Sequence, residues 1–483
     1  SGYEDYDLGR GLGLNIERFK RIVSERYLLE EMDALVPYIR DAGWWEGDKP
    51  DAVVRPGSAE EISEIIRAAN EDRIPITIRG AGSSYTGGAL CYGGGLLLEL
   101  TRLDGLIELD EESNSVTVQP GMSWAKMNCK LRGMGFHTGF RGPGSGITAT
   151  IGGAASVSSI WWGAAKYGTV GDQIIGFQVV LPRGEIIRTG SGANPYARNF
   201  CRYGLGPDLS GLFIGDHGVF GVKTEVVMRA YPLPEYVDFF EYGFPSEVDA
   251  VSALEEMARR NSFASDIIFL EEEYTSYAAP RYPNWNGSKA IVAGDIEADN
   301  RAWGEAQREI FDDIVRRHGG RVLEPNYSKY IYDNMFNVFF WGRRDNGLLM
   351  GACNQVPIRG IMKTIRSQRE YIERNPDLFK RHFNYRGMFS FIVRGHMNTI
   401  PTLYLPWNLD AEPSAKEVAH RIWSDSVSRW IECGGIHYWI GKLIGEILYS
   451  KIPREYHRLL SALKKALDPN RILNPALWDL WGA

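Results

Sequence analysis

Between Ile74 and Ala89 the chain reads IPITIRGAGSSYTGGA, a short apolar run followed by Gly80, Gly82, Gly87 and Gly88 set around Ser83, Ser84, Tyr85 and Thr86. Glycine accepts positive φ and lets the main chain come close to a ligand. Successive free N–H groups in such a turn make a concave anion site without a lysine. The chemistry this suits is the holding of a phosphate, and a glycine-rich hairpin loop is the plain alternative. The spacing is not G-x-G-x-x-G, because Tyr85 stands where the third glycine would be, and no G-K-[ST] follows. A dinucleotide here would sit in some other fold.

Two later stretches repeat this chemistry. RGPGSGITATIGGAASVSSIWWGAAKYGTVGDQ, from Arg141 to Gln173, is small-residue-rich, almost uncharged in its first half, and again full of bare N–H groups. From Asp208 to Met228, DLSGLFIGDHGVFGVKTEVVM places Gly215, Gly218 and Gly221 around Asp216 and His217. Glycine segments of this kind, each hung on strands, are hard to read as coincidental hairpins and point to one shared phosphorylated ligand.

The elements that must position these loops follow from periodicity. Apolar spacing of three and four from Leu14 to Tyr38 predicts a helical arm. Ala52 to Val54 is a strand, Ser58 with Glu61 three residues on opens a helix over Ala59 to Asn70, and Ile74 to Ile78 is the strand feeding the first loop. Leu96 to Leu100, Leu106 to Leu109 and Ser115 to Gln119 read as strands, Trp124 to Arg132 as a helix, and Ile174 to Thr189 as a hairpin. Composition changes near Pro232 to Pro234. Acidic amphipathic helices (Ser246 to Asn261, Asp299 to His318) and aromatic strands (Ile267 to Leu270, Met388 to Val393, Thr402 to Leu405) follow, an α+β pattern without glycine loops. Tyr456 to Leu467 is a late helix.

The totals exclude several classes. A chain of 483 residues exceeds one ordinary core. With 44% hydrophobic residues, 24% charged and a formal charge of −7 it shows no basic stripe for nucleic acid. No apolar run approaches the roughly 20 residues that span a bilayer, and residues 1–30 do not read as a signal peptide. Five cysteines without a C-x-x-C argue against a disulfide framework or structural zinc. The expectation is a cytoplasmic protein.

With the glycine segments in place, the chain resembles flavoproteins of the vanillyl-alcohol oxidase and p-cresol methylhydroxylase type. The resemblance is carried by VVRPGSAEEI, IRGAGSSYTGGA, PGSGITATIGGAASVSS, KYGTVGDQIIGFQVVLPRGE, GPDLSGLFIGDHGVFGVKTE and the closing DPNRILNP. It implies an α+β fold: a helical arm (1–49), an FAD-binding domain of two α/β subdomains (50–234), a cap domain with an antiparallel sheet (235–450), and a segment returning to the FAD-binding domain (451–483). It implies FAD, with Arg79, Gly80, Ala81, Gly82, Ser83, Ser84 and Gly87 at the pyrophosphate. Pro143, Gly144, Gly152, Gly153 and Ser156 would lie along the ribityl and adenosine parts, and Val222 near the adenine. The first loop lacks the histidine, and the second segment the cysteine, through which relatives attach flavin. Noncovalent FAD is therefore expected.

The resemblance also implies hydride removal from a small alcohol-type donor, aromatic or phenolic or a hydroxy acid, by an oxidase or dehydrogenase passing electrons to oxygen or a separate acceptor. A D-2-hydroxy acid dehydrogenase is an alternative. A flavin-dependent transferase of the alkyl-dihydroxyacetonephosphate synthase type and a non-catalytic flavoprotein subunit are alternatives of other classes. A homodimer is the assembly to test. A proton acceptor near neutrality favours histidine. Of eight histidines, His318, His420 and His457 fall on amphipathic helices, His137 and His217 belong to the FAD half, and His382 has no informative context. His396 and His437 are the catalytic candidates, with Tyr438. Tyr85, Arg394 and Trp439 are candidates for substrate binding, Trp439 standing where phenol-oxidising relatives carry an arginine. Arg343 and Arg344 are further candidates for clamping a carboxylate. No metal is expected, since two isolated histidines make a poor site for a hard cation.

Overall fold

The computed structural model describes residues 15–43, 45–337, 348–349, 352–377, 379, 384–405 and 413–478. The chain builds two sheets that carry the glycine loops and a third, larger sheet that closes over them.

The first sheet holds β1 (Leu28–Leu29), β2 (Ala52–Val54), β3 (Ile76–Arg79) and β4 (Leu96–Glu99) in the order β1-β2-β4-β3. β4 runs parallel to both β2 and β3. Parallel strands covered on both faces read as unbroken apolar runs, as LLLE and AVV do. Ser58 caps helix Ala59–Asp72 by accepting from the Glu61 N–H, while the Glu61 carboxylate accepts from the Gly57 N–H at 2.7 Å. The expected helix over Leu14 to Tyr38 is not continuous. It stops at Val23, Ser24 takes φ 71°, and Leu28–Leu29 pair antiparallel with Val53–Val54. The apolar residues counted toward one helix face serve a sheet edge instead.

The second sheet holds β5 (Leu106–Asp110), β6 (Ser115–Val118), β8 (Ile174–Val180), β9 (Ile186–Arg188) and β10 (Val222–Arg229), ordered β5-β6-β10-β8-β9 and antiparallel throughout. A short ribbon pairs β7 (Phe136–His137) with β11 (Tyr231–Pro232).

The third sheet has eight strands: β12 (Tyr236–Phe244), β13 (Ala264–Leu270), β14 (Ala290–Ala298), β15 (Arg321–Val322), β16 (Leu348–Leu349), β17 (Asn354–Pro357), β18 (Asn384–Val393) and β19 (His396–Leu405). The order is β15-β12-β14-β13-β18-β19-β16, with β17 also on β19. Side chains alternate between faces with period two. Ile267, Phe269, Val292 and Met388 pack with helices Glu247–Arg259, Arg301–Arg317 and Ile361–Arg374. Ile268, Leu270, Ile291, Phe389 and Phe391 join a core shared with Trp124, Phe140, Trp161 and Trp162 of the glycine-loop half. The cap sheet is therefore roofed by its own helices on one face and docked on the rest of the protein by the other.

Past helix Arg454–Leu467 the chain returns to the first sheet, where Leu473 bridges Ile76 and the Asn474 Oδ1 accepts from the Ile78 N–H at 3.0 Å. No described helix is long and apolar enough to cross a membrane.

Candidate active site

All three glycine segments meet at one cleft, which encloses about 1130 Å³ of empty space, open solvent at its mouth included. The first loop leaves β3 and contributes Gly80, Ala81, Gly82, Ser83, Ser84 and Tyr85. Gly82 needs its φ of 67°, where a side chain would also strike the Arg79 guanidinium. Among the described residues no protein acceptor takes the N–H groups of Gly80 to Ser84, and the buried Ser84 hydroxyl has no partner. A run of unpaired N–H groups facing the cleft makes an anion-binding concavity, and the one buried unpaired hydroxyl is costly unless a ligand satisfies it.

The second segment enters as helix Ile151–Ser156 and differs in one respect from expectation. Its N–H groups are already used: Ile151 donates to the Met122 carbonyl (2.9 Å), Gly152 to the Pro120 carbonyl (2.8 Å) and Gly153 to the Thr150 hydroxyl (3.3 Å). Gly152 is required because a Cβ would lie 2.5 Å from the Pro120 Cβ. Pro143, Gly152, Gly153 and Ser156 line the cleft, but they admit a ligand by lacking bulk rather than by donating N–H groups. The two segments touch, since a Cβ on Gly80 would collide with the Thr150 hydroxyl.

The third turn adds His217, Gly218, Gly221 and Lys223. Lys223, which sequence reasoning did not single out, donates from its buried Nζ to Asp216 Oδ1 (2.5 Å) and Ser156 Oγ (2.9 Å). Burial raises the Asp216 carboxyl, and the neighbouring Lys223 opposes that rise. His217 sits at φ 48°, and its Nε2 accepts from the Gly441 N–H at 3.4 Å. Burial first, and Lys223 second, depress its pKa to about 3, so the ring is neutral.

The far wall is aromatic. Tyr85 meets Trp439 edge to face at 5.4 Å, and Tyr438 stacks on Trp439 at 5.1 Å. Trp161 is backed by Phe389 at 5.4 Å and Phe391 at 4.6 Å. Burial holds the Tyr438 phenol well above its ordinary pKa, so it stays protonated and able to donate.

Several sequence candidates lie elsewhere. His437 precedes Tyr438 but is not among the cleft-lining residues, and its Nδ1 lies 3.9 Å from the buried Cys353 Sγ; burial lowers its pKa to about 3. His396 begins β19, outside the cleft lining, with Nε2 3.0 Å from Gln355 Oε1. Arg394 is exposed in the β18–β19 turn. Neither histidine nor that arginine reaches the cleft. Arg79 braces the first loop from behind, donating to the carbonyls of Tyr38, Ala89 and Arg40. The Gly87 N–H is taken by Asp41 Oδ2 at 2.8 Å. Gly144 is not part of the lining, and Val222 is paired with Val180 between the lining residues Gly221 and Lys223. Arg343, Arg344 and His382 lie outside the described residues.

Comparison with known proteins agrees with this geometry. The family described as "FAD binding domain" matches residues 50–190, and "FAD linked oxidases, C-terminal domain" matches residues 357–477. The chain is 31% identical over 437 residues to a protein named probable D-lactate dehydrogenase, mitochondrial, of Danio rerio, covering 88% of this chain and 84% of that one. It is 26% identical over 442 residues to D-lactate dehydrogenase [cytochrome], mitochondrial, of Arabidopsis thaliana, covering 88% and 73%. In structure it is similar to p-cresol methylhydroxylase with substrate bound, at TM-score 0.78 and 18% identity over 96% of each chain.

Proposed function

The chain belongs to the FAD-linked oxidases of p-cresol methylhydroxylase type, an FAD-dependent oxidoreductase family, and we propose that it removes a hydride from the alcohol-type carbon of a small aromatic donor. The observation that carries this is the wall of Tyr85, Trp161, Tyr438 and Trp439 in the same cleft as the unpaired N–H groups of Gly80 to Ser84.

The residues present fit FAD. Five neutral amides would hold a diphosphate, and the bare backbone at Gly152 and Gly153 leaves room for the chain that joins it to the ring. When bound, FAD supplies the hydride acceptor. The protein's part is to bind and orient. Trp161, stiffened by Phe389 and Phe391, offers a flat apolar surface for a donor ring. The Tyr438 hydroxyl, kept protonated by burial, meets the donor's oxygen, and the proton that the donor's hydroxyl gives up as the hydride leaves passes to solvent at the cleft mouth. His217 holds the Gly441 backbone and stays neutral. We take the cofactor to be noncovalent, because Nε2 of His217, the histidine in the described lining, is engaged with Gly441. Denaturation that leaves yellow flavin on the precipitated protein contradicts this.

Anaerobic mixing of the FAD-loaded protein with benzylic alcohols tests the main reading by bleaching of the oxidised-flavin absorbance. A second reading, oxidation of a D-2-hydroxy acid, is favoured by the names of the two relatives. D-lactate that bleaches the flavin while benzylic alcohols do not would replace the first reading by the second. Electrons then leave to oxygen or to a separate acceptor, which the rate of recolouring in air distinguishes.

A further inference from the structure

The seam between the cap and the glycine-loop half contains a charge cluster that the cleft chemistry does not use. Arg141, almost fully buried, reaches from the turn before Pro143 to three carboxyls of the cap sheet. Its Nη1 donates to Glu297 Oε1 at 2.7 Å, and its Nη2 to Asp266 and, at 3.4 Å, to Asp295 Oδ2. Asp266 on β13 is the register partner of Asp295 on β14, and Glu297 lies two residues on, on the same face. Ser265 and Tyr332 donate to Glu297 at 2.6 and 3.1 Å. The Gly163 N–H donates to Asp266 at 2.8 Å.

One guanidinium faces three acids, all buried. Of the other titratable groups around them, the cation Lys166 is set against Glu297 and Asp299 rather than against Asp266 and Asp295. His137 on β7 is held neutral, burial lowering its pKa to about 4. Lys166 is directed at the Glu297 carbonyl (3.3 Å), and Tyr167 and Tyr332 stay protonated because burial raises them. Asp295 faces its register partner Asp266, and its hydrogen bond among the described residues is the 3.4 Å one from Arg141, whereas Asp266 also takes the Gly163 N–H and Glu297 takes Ser265 and Tyr332. Two ionised carboxylates so placed repel. Burial raises both, while Arg141 and hydrogen bonds keep Glu297 low.

We propose that Asp295 is a neutral, protonated acid in the folded protein at neutral pH, and that the Arg141–Asp266–Asp295–Glu297 cluster it completes positions the cleft walls by latching the cap to the cofactor half. Both ends of the latch sit beside the cleft. Arg141 is two residues from Pro143, and the Asp266 carboxylate holds Gly163, two residues from Trp161. The Arg141 N–H also donates to the Trp162 carbonyl at 2.8 Å, which ties the two ends together. The latch is independent of which donor is oxidised. Ionising Asp295 would set a third negative charge against Asp266 and loosen both walls. Since the folded-state pKa of Asp295 lies above its unfolded value, its contribution is present in acid and lost as pH rises through the folded value.

Infrared difference spectra of the full chain at neutral pH, wild type against Asp295→Asn, test this. The expected result is a protonated-carboxyl carbonyl band that shifts in D2O and vanishes in the variant. A wild-type spectrum without it overturns the proposal. Melting temperature and FAD affinity of the wild type should decline together toward alkaline pH, and Asp295→Asn, a neutral isostere, should flatten both. An unchanged alkaline limb overturns the proposal, as does an Asp295→Asn chain that does not fold. Asp266→Asn should lower the melting temperature by on the order of 5 °C and change the emission assigned to Trp161 by a Trp161→Phe control. A variant that does neither removes the positioning role.

Discussion

The first glycine loop and the helix Ile151–Ser156 look alike in sequence and do opposite things. From Gly80 to Ser84 the main-chain N–H groups have no acceptor among the described residues, whereas those of Ile151, Gly152 and Gly153 are spent on Met122, Pro120 and Thr150. One loop is a donor array waiting for an anion. The other is a brace whose glycines only let two pieces of backbone come close. Small-residue composition signals proximity, and it says nothing of whether an amide is free.

The contrast can be broken most forcefully from the brace side. Lys223 fixes Ser156 and neutralises the buried Asp216. Lys223→Met strands that carboxyl, and a loss of about 3–5 kcal/mol is expected. Urea unfolding without FAD should already show it, and an apo protein of wild-type stability would mean the brace is held by something else. Amide hydrogen exchange reads the difference directly. Gly80 to Ser84 should exchange freely until FAD is added and then become protected, while Gly152 and Gly153 should be protected in both states. Equal protection in the apo protein would erase the distinction.

A weaker effect comes from acid. His217 and His437 are both buried and depressed from 6.5 to about 3. The unfolded chain takes up protons in that interval that the folded chain refuses, so stability is full above the ordinary histidine value and falls as pH drops toward about 3. His437→Phe, remote from the donor array, should reduce the slope of melting temperature against pH below neutrality and leave FAD affinity at neutral pH unchanged. The smallest effect is expected of Ser84→Ala. Its hydroxyl has no partner among the described residues, so apo stability should not fall, and FAD should bind weaker by about 1 kcal/mol, one neutral hydrogen bond. Isothermal titration resolves a change of that size, and an unchanged affinity would place the hydroxyl away from the ligand.

Much of this was readable beforehand. The strand Ile76–Arg79, the Ser58 cap and the three loops follow from local chemistry, and local chemistry is what a sequence records. Tyr85, Tyr438 and Trp439 do line the cleft. The failures share a cause. His437 and Tyr438 are neighbours in sequence, and which of the two faced the cleft depended on the local backbone that leads from the Ile436–Gln355 bridge into helix Gly441–Lys451. His396 and Arg394 follow an aromatic strand that leads toward the site, but the turn after it leads away. The Arg141 cluster was hidden because Arg141 lies 125 residues or more from each of its three acids in the chain. Lys223 could have been suspected as a cation near the start of the apolar strand VKTEVVMR, where burying an unpaired charge is costly.

Asn474 accepts from Ile78 across a separation of 396 positions and donates to the carbonyl of His217, and Lys464 clamps the carbonyls of Val219 and Leu473. The cap is thus an insertion between two parts of one nucleotide-holding body. A nascent chain has to make the whole intervening sheet before the strand that bears the phosphate loop gains its last neighbour. Competence for the cofactor therefore waits until residues 464–474 have been made, and a chain translated only as far as the cap is kept from sequestering the nucleotide.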